Sequence, residues 1–206
     1  MNLHRSDSKP DWANIKPADM NAWQKLSAKS NGILTPGNII SVIGFGLVIY
    51  GLTCLLNENY MRGLVFVLVG RAADVLDGWA SETTQTKSPL GEIMDASIDK
   101  LGVLFTFIAL FIAGIAPYWV LALLVAPQLI NTVVGLKAFR SNKRIHPSKS
   151  GKLSMAALLV SLLAFMLIKA VPLTNNLYLD GAIVIAALSA TLGFYSSIGY
   201  IRGNSR

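Results

Sequence analysis

The sequence predicts an all-α integral membrane protein: six transmembrane helices preceded by a cytoplasmic, juxtamembrane amphipathic helix. Three observations carry this expectation. The 206 residues are 53% hydrophobic and only 14% charged, against about 25% charged in a soluble average. Several apolar stretches approach the ~20 residues needed to cross a bilayer. Basic residues gather at alternate ends of those stretches, as topology signals do. The length suits a single membrane domain, and we divide it into a polar arm with interfacial helix (1–34) and a membrane domain (35–206). The first forty residues lack an apolar core followed by a small-residue cleavage site, so a cleaved secretory signal is not expected. The single Cys54 leaves no internal disulfide to form. The net charge of +7 suits an anionic bilayer face or anionic substrate, although topology-setting loop charge accounts for most of it. No nucleic-acid partner is expected.

Residues 1–17 are polar, with Pro10 and Pro17, and read as a loose arm. In residues 18–30, Met20, Trp23 and Leu26 recur at three-residue steps with Lys25 and Lys29 opposite. That pattern predicts a short helix in the membrane interface, anchored by Trp23; a surface helix docked on the protein is the alternative. Thr35-Pro36 and Ser88-Pro89 each join a capping hydroxyl to a proline at the first helical position. They open spans at about 38–56 and 89–113. The other spans are expected from Arg62 to Trp79, from Tyr118 to Ala138 with a kink at Pro127, and over 153–171 and 178–201. No internal repeat is evident.

Arg5, Lys9, Lys16, Lys25 and Lys29 lie in the arm, and Lys137, Arg140, Lys143, Arg144, Lys149 and Lys152 between spans four and five. Arg202 and Arg206 end the chain, whereas the opposite side carries only Arg62 and Lys169. The positive-inside rule therefore predicts both termini, and the 80–90 loop, in the cytoplasm.

Function concentrates in residues 71–100, RAADVLDGWASETTQTKSPLGEIMDASIDK. Asp74 with Asp77, and Asp95 with Asp99, are spaced to share one face of each flanking helix. Acids at a membrane edge are costly and mark an ion, proton or substrate site by default. Carboxylates converging from two helices make a hard-oxygen site suited to Mg²⁺ or Mn²⁺ rather than zinc. Two such ions about 3.5–4 Å apart can clamp a diphosphate during in-line displacement. Gly78 leaves room for a ligand at the backbone; Gly91 could do the same, or could serve close helix packing. Asp99 is the best-placed general base for an acceptor hydroxyl. The plainer explanation is a set of acids neutralised by Arg71 and Lys100, but charge balance alone does not call for two pairs flanking glycines.

These residues resemble the signature of the CDP-alcohol phosphotransferase family, D-x-x-D-G-x-x-A-R-x8-G-x-x-x-D-x-x-x-D. Asp74, Asp77, Gly78, Gly91, Asp95 and Asp99 match it in identity and spacing. The six-span layout and the preceding juxtamembrane helix are also similar to the family. The resemblance implies a homodimer whose protomers each hold two Mg²⁺ or Mn²⁺ ions at the cytoplasmic surface of the membrane. It implies Asp74, Asp77 and Asp95 as metal ligands, Asp99 as ligand and catalytic base, and Gly78 and Ser88 at the nucleotide, where Gly91 is also expected from its position. The implied reaction is attack by a hydroxyl on the β-phosphorus of a CDP-linked donor, with CMP leaving. In compact members the donor is CDP-diacylglycerol and the acceptor a small alcohol. An unsignalled chain of this kind suits a bacterial inner membrane.

The sequence departs from that signature at Ser81-Glu82, where the family has Ala-Arg. An arginine near a diphosphate supplies charge and paired donors, and a glutamate repels it. Lys87 in the same loop is the favoured substitute; Arg71, a different donor pose, or weak activity are the others. For the acceptor, Lys137, Arg140, Lys152 and Arg202 can attract a phosphate, and Gly151-Lys152 is similar to phosphatidylglycerophosphate synthases. Span four, NTVVGLKAFR, lacks the Arg-Glu pair of those enzymes. Glycerol 3-phosphate is thus the first choice, inositol phosphate the second, an uncharged alcohol or serine the third. The non-enzyme alternative is a divalent-cation transporter, which would place acids or broken helices near the midplane, often in repeated halves.

Overall fold

The computed structural model describes residues 10–140, 149–171 and 176–204, with residues 135–140, 149–150, 200 and 202–204 described by their backbone alone. Among the described residues there are seven α-helices, one 3-10 turn and no strand. Two compact units divide them: Met1–Cys54 with Val65–Phe105, and Leu55–Leu64 with Thr106–Arg206.

The first unit begins with the 3-10 turn Asp11–Asn14 and the helix α1, Ala22–Lys29. Asn21 and Gln24 close a reciprocal capping box at the start of α1, which satisfies two otherwise orphaned amide donors. The inward face of α1 is polar: Gln24 and Ser27 are buried while Trp23 and Leu26 are exposed. Asn21 and Gln24 both donate to the Thr84 carbonyl. The helix therefore docks through its polar side and leaves Trp23 outward, where an interfacial anchor would stand. The arm is not loose throughout, because Trp12 is buried and the turn around it is hydrogen-bonded to residue 87.

Helix α2, Pro36–Leu56, opens as its local sequence dictates: Asn38 N–H donates to Thr35 Oγ1 at 3.1 Å. Helix α4, Pro89–Ile112, opens the same way, with Gly91 N–H donating to Ser88 Oγ at 2.9 Å. Between them runs α3, Tyr60–Thr84. It ends in a Schellman motif: Gln85 N–H donates to Glu82 O, Thr86 N–H to Ser81 O, and Gln85 takes φ +54°. That left-handed residue reverses the chain, and the short connection 85–88 turns α4 back toward α3.

The second unit contains α5 (Tyr118–Arg140), α6 (Lys149–Ala170) and α7 (Asn176–Asn204). Leu158, Leu162, Phe165 and Met166 of α6 are buried, as are Ala182, Ala186 and Ala190 of α7. Small residues at such spacing let helix backbones approach in a membrane. Helix α5 runs through Pro127, whose ring packs where a Cβ on Gly193 would come within 2.8 Å.

Helices α2, α6 and α7 are long and apolar enough to cross a membrane, and α5 carries a shorter apolar stretch, Tyr118–Val134. Helices α3 and α4 fall outside that group because α3 carries Arg62, Arg71, Asp74 and Asp77, and α4 Glu92, Asp95, Asp99 and Lys100. Their flanks are nevertheless strongly apolar. Val65, Leu68, Val69, Val75, Leu76 and Trp79 of α3 stand exposed, an apolar surface that water alone does not favour.

Candidate active site

Helix periodicity and the reversal at 85–88 together assemble the acids. Asp74 and Asp77 are three residues apart on α3, and Asp95 and Asp99 four apart on α4, so each pair shares a face. Near the loop, Asp77 and Asp95 line the same cavity. Further along, Arg71 Nη1 donates to Asp74 Oδ2 and to Asp99 Oδ1, both at 3.1 Å. All four predicted acids are thus neighbours, contributed by two helices.

Their surroundings differ. Asp77 is buried and accepts from the Ser41 hydroxyl of α2 through Oδ2. The side chains of Asp74 and Asp99 are 23% and 40% exposed, whereas that of Arg71 is only 9% exposed. Arg71 Nε and Nη2 are buried without a hydrogen-bond partner. A Cβ at Gly102 would meet Nη2 at 2.9 Å, so the missing side chain there makes room for the guanidinium. The pairing of Arg71 with two of the acids is the part of the charge-balancing explanation that holds. Lys100 is exposed and forms no ion pair with the four acids.

Among the described residues no three acids surround a common point that could hold an ion. Their chemistry still fits a hard divalent cation. The donors are all carboxylates, four formal negative charges face one guanidinium, and Arg71 Nη1 itself occupies the gap between Asp74 and Asp99.

A cavity of about 240 Å³ adjoins this cluster, lined by Thr35, Gly37, Asn38, Ser41, Asp77, Gly78, Ser81, Thr86, Lys87, Ser88, Gly91, Glu92 and Asp95. All of the residues expected at the nucleotide (Gly78, Lys87, Ser88 and Gly91) line it. A Cβ on Gly78 would meet nothing within 4 Å, whereas one on Gly91 would stand 3.0 Å from Asn38 Oδ1 and 3.1 Å from Ser88 Oγ. Gly91 therefore serves the close approach of α4 to α2. Asn38, missed in the sequence, lines the cavity and holds the Gly32 and Ile33 carbonyls through its amide. Ser41 was missed too; its only local signal is its place in the first turns of a helix opened by Thr35-Pro36.

Lys87 lines the cavity with its ammonium already engaged: Nζ lies 2.6 Å from Glu82 Oε1. The hydrogen bond from Lys87 holds the exposed Glu82 carboxyl below its ordinary pKa, and the same bond raises that of Lys87. Of the acceptor residues expected from the sequence, Lys152 is exposed in the first turns of α6. Lys137, Arg140 and Arg202 lie on helical backbone, with side chains outside the described residues.

The chain matches the family described as CDP-alcohol phosphatidyltransferase over residues 34–193. It is 25% identical over 151 residues to "Putative cardiolipin synthase" of Mycobacterium bovis and of Mycobacterium tuberculosis (strain H37Rv), covering 72% of each chain. No solved structure matches it. The matched segment spans every acid of the cluster, the cavity and most of both units, and on that ground the chain belongs to the CDP-alcohol phosphatidyltransferase family, a family of transferases that act on a CDP-alcohol donor and an alcohol acceptor.

Proposed function

We propose that the chain transfers a phosphatidyl group from CDP-diacylglycerol to glycerol 3-phosphate and releases CMP. The observation that carries the reading is the juxtaposition of four carboxylates with a polar cavity lined by Gly78 and Ser88. The cavity is small against the ~300–1,000 Å³ of typical ligand clefts, which suits a headgroup whose acyl chains stay in the bilayer. Asp74, Asp77, Asp95 and Asp99 would hold two Mg²⁺ or Mn²⁺ ions, which when bound neutralise the diphosphate and stabilise the leaving phosphate.

The protein's own groups do the rest. Thr35, Asn38 and Ser41 line the cavity that takes the cytidine moiety, and Ser41 fixes one oxygen of Asp77. Asp99 takes the proton from the acceptor hydroxyl. The oxygen attacks the β-phosphorus, the bond from that phosphorus to the CMP oxygen breaks, and CMP departs with the electron pair. Six spans, cytoplasmic termini and a homodimer belong to the same proposal, supported by the basic-residue count and the family resemblance.

A second acceptor follows from the relatives' printed name. Cardiolipin carries two phosphatidyl groups on one glycerol, so a glycerol-headed phospholipid is the alternative hydroxyl source. The test is CMP release by purified protein given CDP-diacylglycerol, Mg²⁺ or Mn²⁺, and one acceptor at a time: glycerol 3-phosphate, inositol phosphate, serine or phosphatidylglycerol. Release with glycerol 3-phosphate supports the first choice, and release with phosphatidylglycerol alone replaces it. Cation flux into liposomes without CMP release under any condition would overturn the transferase reading in favour of transport.

A further inference from the structure

The rim of the cavity at Lys87 and Ser88 is held from outside the membrane domain. Asp11 N–H donates to the Lys87 carbonyl at 3.1 Å, and Lys87 N–H donates to Asp11 Oδ2 at 3.0 Å. The next residue, Trp12, is 7% exposed, and its ring edge lies 3.3 Å from where a Cβ on Gly32 would stand. Gly32 takes φ +83°, and the same Cβ would meet Ser88 Oγ at 2.6 Å. Glycine is thus required there both for the backbone and for the close approach. The Gly32 carbonyl in turn accepts from Ser88 Oγ at 3.3 Å and from Asn38 Nδ2 at 3.1 Å. Every residue this network reaches on the far side, namely Lys87, Ser88 and Asn38, lines the cavity.

We propose that Asp11 and Trp12 are positioning residues for the donor pocket, clamping the 87–88 backbone and, through Gly32, the Ser88 and Asn38 side chains that line it. Neither touches the cavity, so both act through the rim. This rests on the reading of the cavity as the CDP site. The clamp sets affinity for the cytidine end of the donor and leaves the chemistry at the acids alone.

The test is CMP binding by calorimetry on the full chain in detergent, with melting temperature and the KM and kcat for CDP-diacylglycerol measured alongside. Removing one backbone-anchoring hydrogen bond in Asp11→Ala should weaken CMP about fivefold and raise KM alike, with kcat unchanged. Asp11→Asn keeps an oxygen for the Lys87 amide and should return within about twofold of the parent. Trp12→Phe, which still fills the slot, should weaken CMP by about two- to fourfold without loss of folding. A lower melting temperature with parental CMP affinity in Asp11→Ala and Trp12→Phe would overturn the proposal, leaving the clamp a stabilising contact. Equal weakening in Asp11→Ala and Asp11→Asn would overturn the hydrogen-bond assignment, placing the effect in the charge near Lys87. A parent chain that binds no CMP would overturn the pocket reading itself, and the clamp with it.

Discussion

Arg71 offers the sharpest test of how the acids are held together. Replacing it with methionine keeps most of the side-chain volume and removes the cation. Its Nη1 stands 3.1 Å from both Asp74 and Asp99, and each contact of that length is worth about 5 kcal/mol gross at an effective dielectric of 20. Most of this is offset. Asp99 is 40% exposed and can regain water, and the unpartnered Nε and Nη2 already cost about 1–3 kcal/mol each in the parent. Breaking a buried ion pair costs about 3–5 kcal/mol, and these offsets bring the expected loss down to about 2 kcal/mol. For a chain of this size that is a fall of about 4–8 °C in melting temperature, read by thermal unfolding in detergent with EDTA. Adding Mn²⁺ should then raise the melting temperature of Arg71→Met more than that of the parent, since no guanidinium competes for Asp74 and Asp99. A variant as stable as the parent in EDTA, with the same response to Mn²⁺, would refute the assignment of Arg71 as the cation that spans α3 and α4.

Ser41→Ala removes the hydroxyl that donates to Asp77; hydrogen bonds to charged groups contribute about 1.5–3 kcal/mol, so turnover should fall at least about tenfold, and a rate within twofold of the parent would show that Asp77 needs no such support. Asp74→Asn and Asp95→Asn should abolish CMP release, with melting little changed in Asp95→Asn and somewhat lowered in Asp74→Asn, which loses one of the two carboxylates of Arg71; near-normal rates in both would remove these residues as ion ligands. Lys87→Ala and Glu82→Ala should shift the KM for the donor in opposite directions, upward when the lysine is lost and downward when its carboxylate partner is lost. Unchanged KM in Lys87→Ala would eliminate that lysine as the substitute for the family's arginine. Gly91→Ala should destabilise by about 1 kcal/mol through crowding of Asn38 and Ser88, whereas Gly78→Ala, facing open space, should leave melting unchanged while weakening CMP binding.

What the sequence made legible was local. Thr35 and Ser88 were readable as caps because the cap bond spans three residues, and the acid pairs because helix periodicity alone aligns them. The boundaries of α2 and α4 followed from the prolines at 36 and 89. Contacts across many residues were not legible. Nothing near Trp12 says that its ring packs by Gly32, and the Asp11–Lys87 bonds join positions 76 residues apart. The docking side of α1 was not legible for the same reason. The apolar spacing of Met20, Trp23 and Leu26 pointed to the face expected at lipid, while the face that docks is polar, since its partners at the end of α3 are the Thr84 carbonyl and the Gln85 side-chain oxygen. Ser41 and Asn38 are ordinary residues on an apolar helix until α3 and α4 place Asp77 and Gly91 beside them.

The substitution of Glu82 for the family's arginine also takes on a physical sense in the structure. Glu82 lies in the last turn of α3, five residues before Lys87 along the connection to α4, and the two close an exposed ion pair beside the cavity. Exposed pairs of this kind contribute at most about 1 kcal/mol, so stability does not explain the exchange. Its consequence is electrostatic: the pair at 82 and 87 is neutral where an arginine at 82 would give two positive charges. Among the described residues the buried cation near the reacting groups is then Arg71, deeper along α3 and already committed to Asp74 and Asp99. Attraction of an anionic donor therefore falls to ions held by the carboxylates rather than to the loop. On that basis donor binding should depend more steeply on divalent cation than in a relative with arginine at this position, and Glu82→Arg should flatten the dependence by freeing Lys87 and adding a second charge.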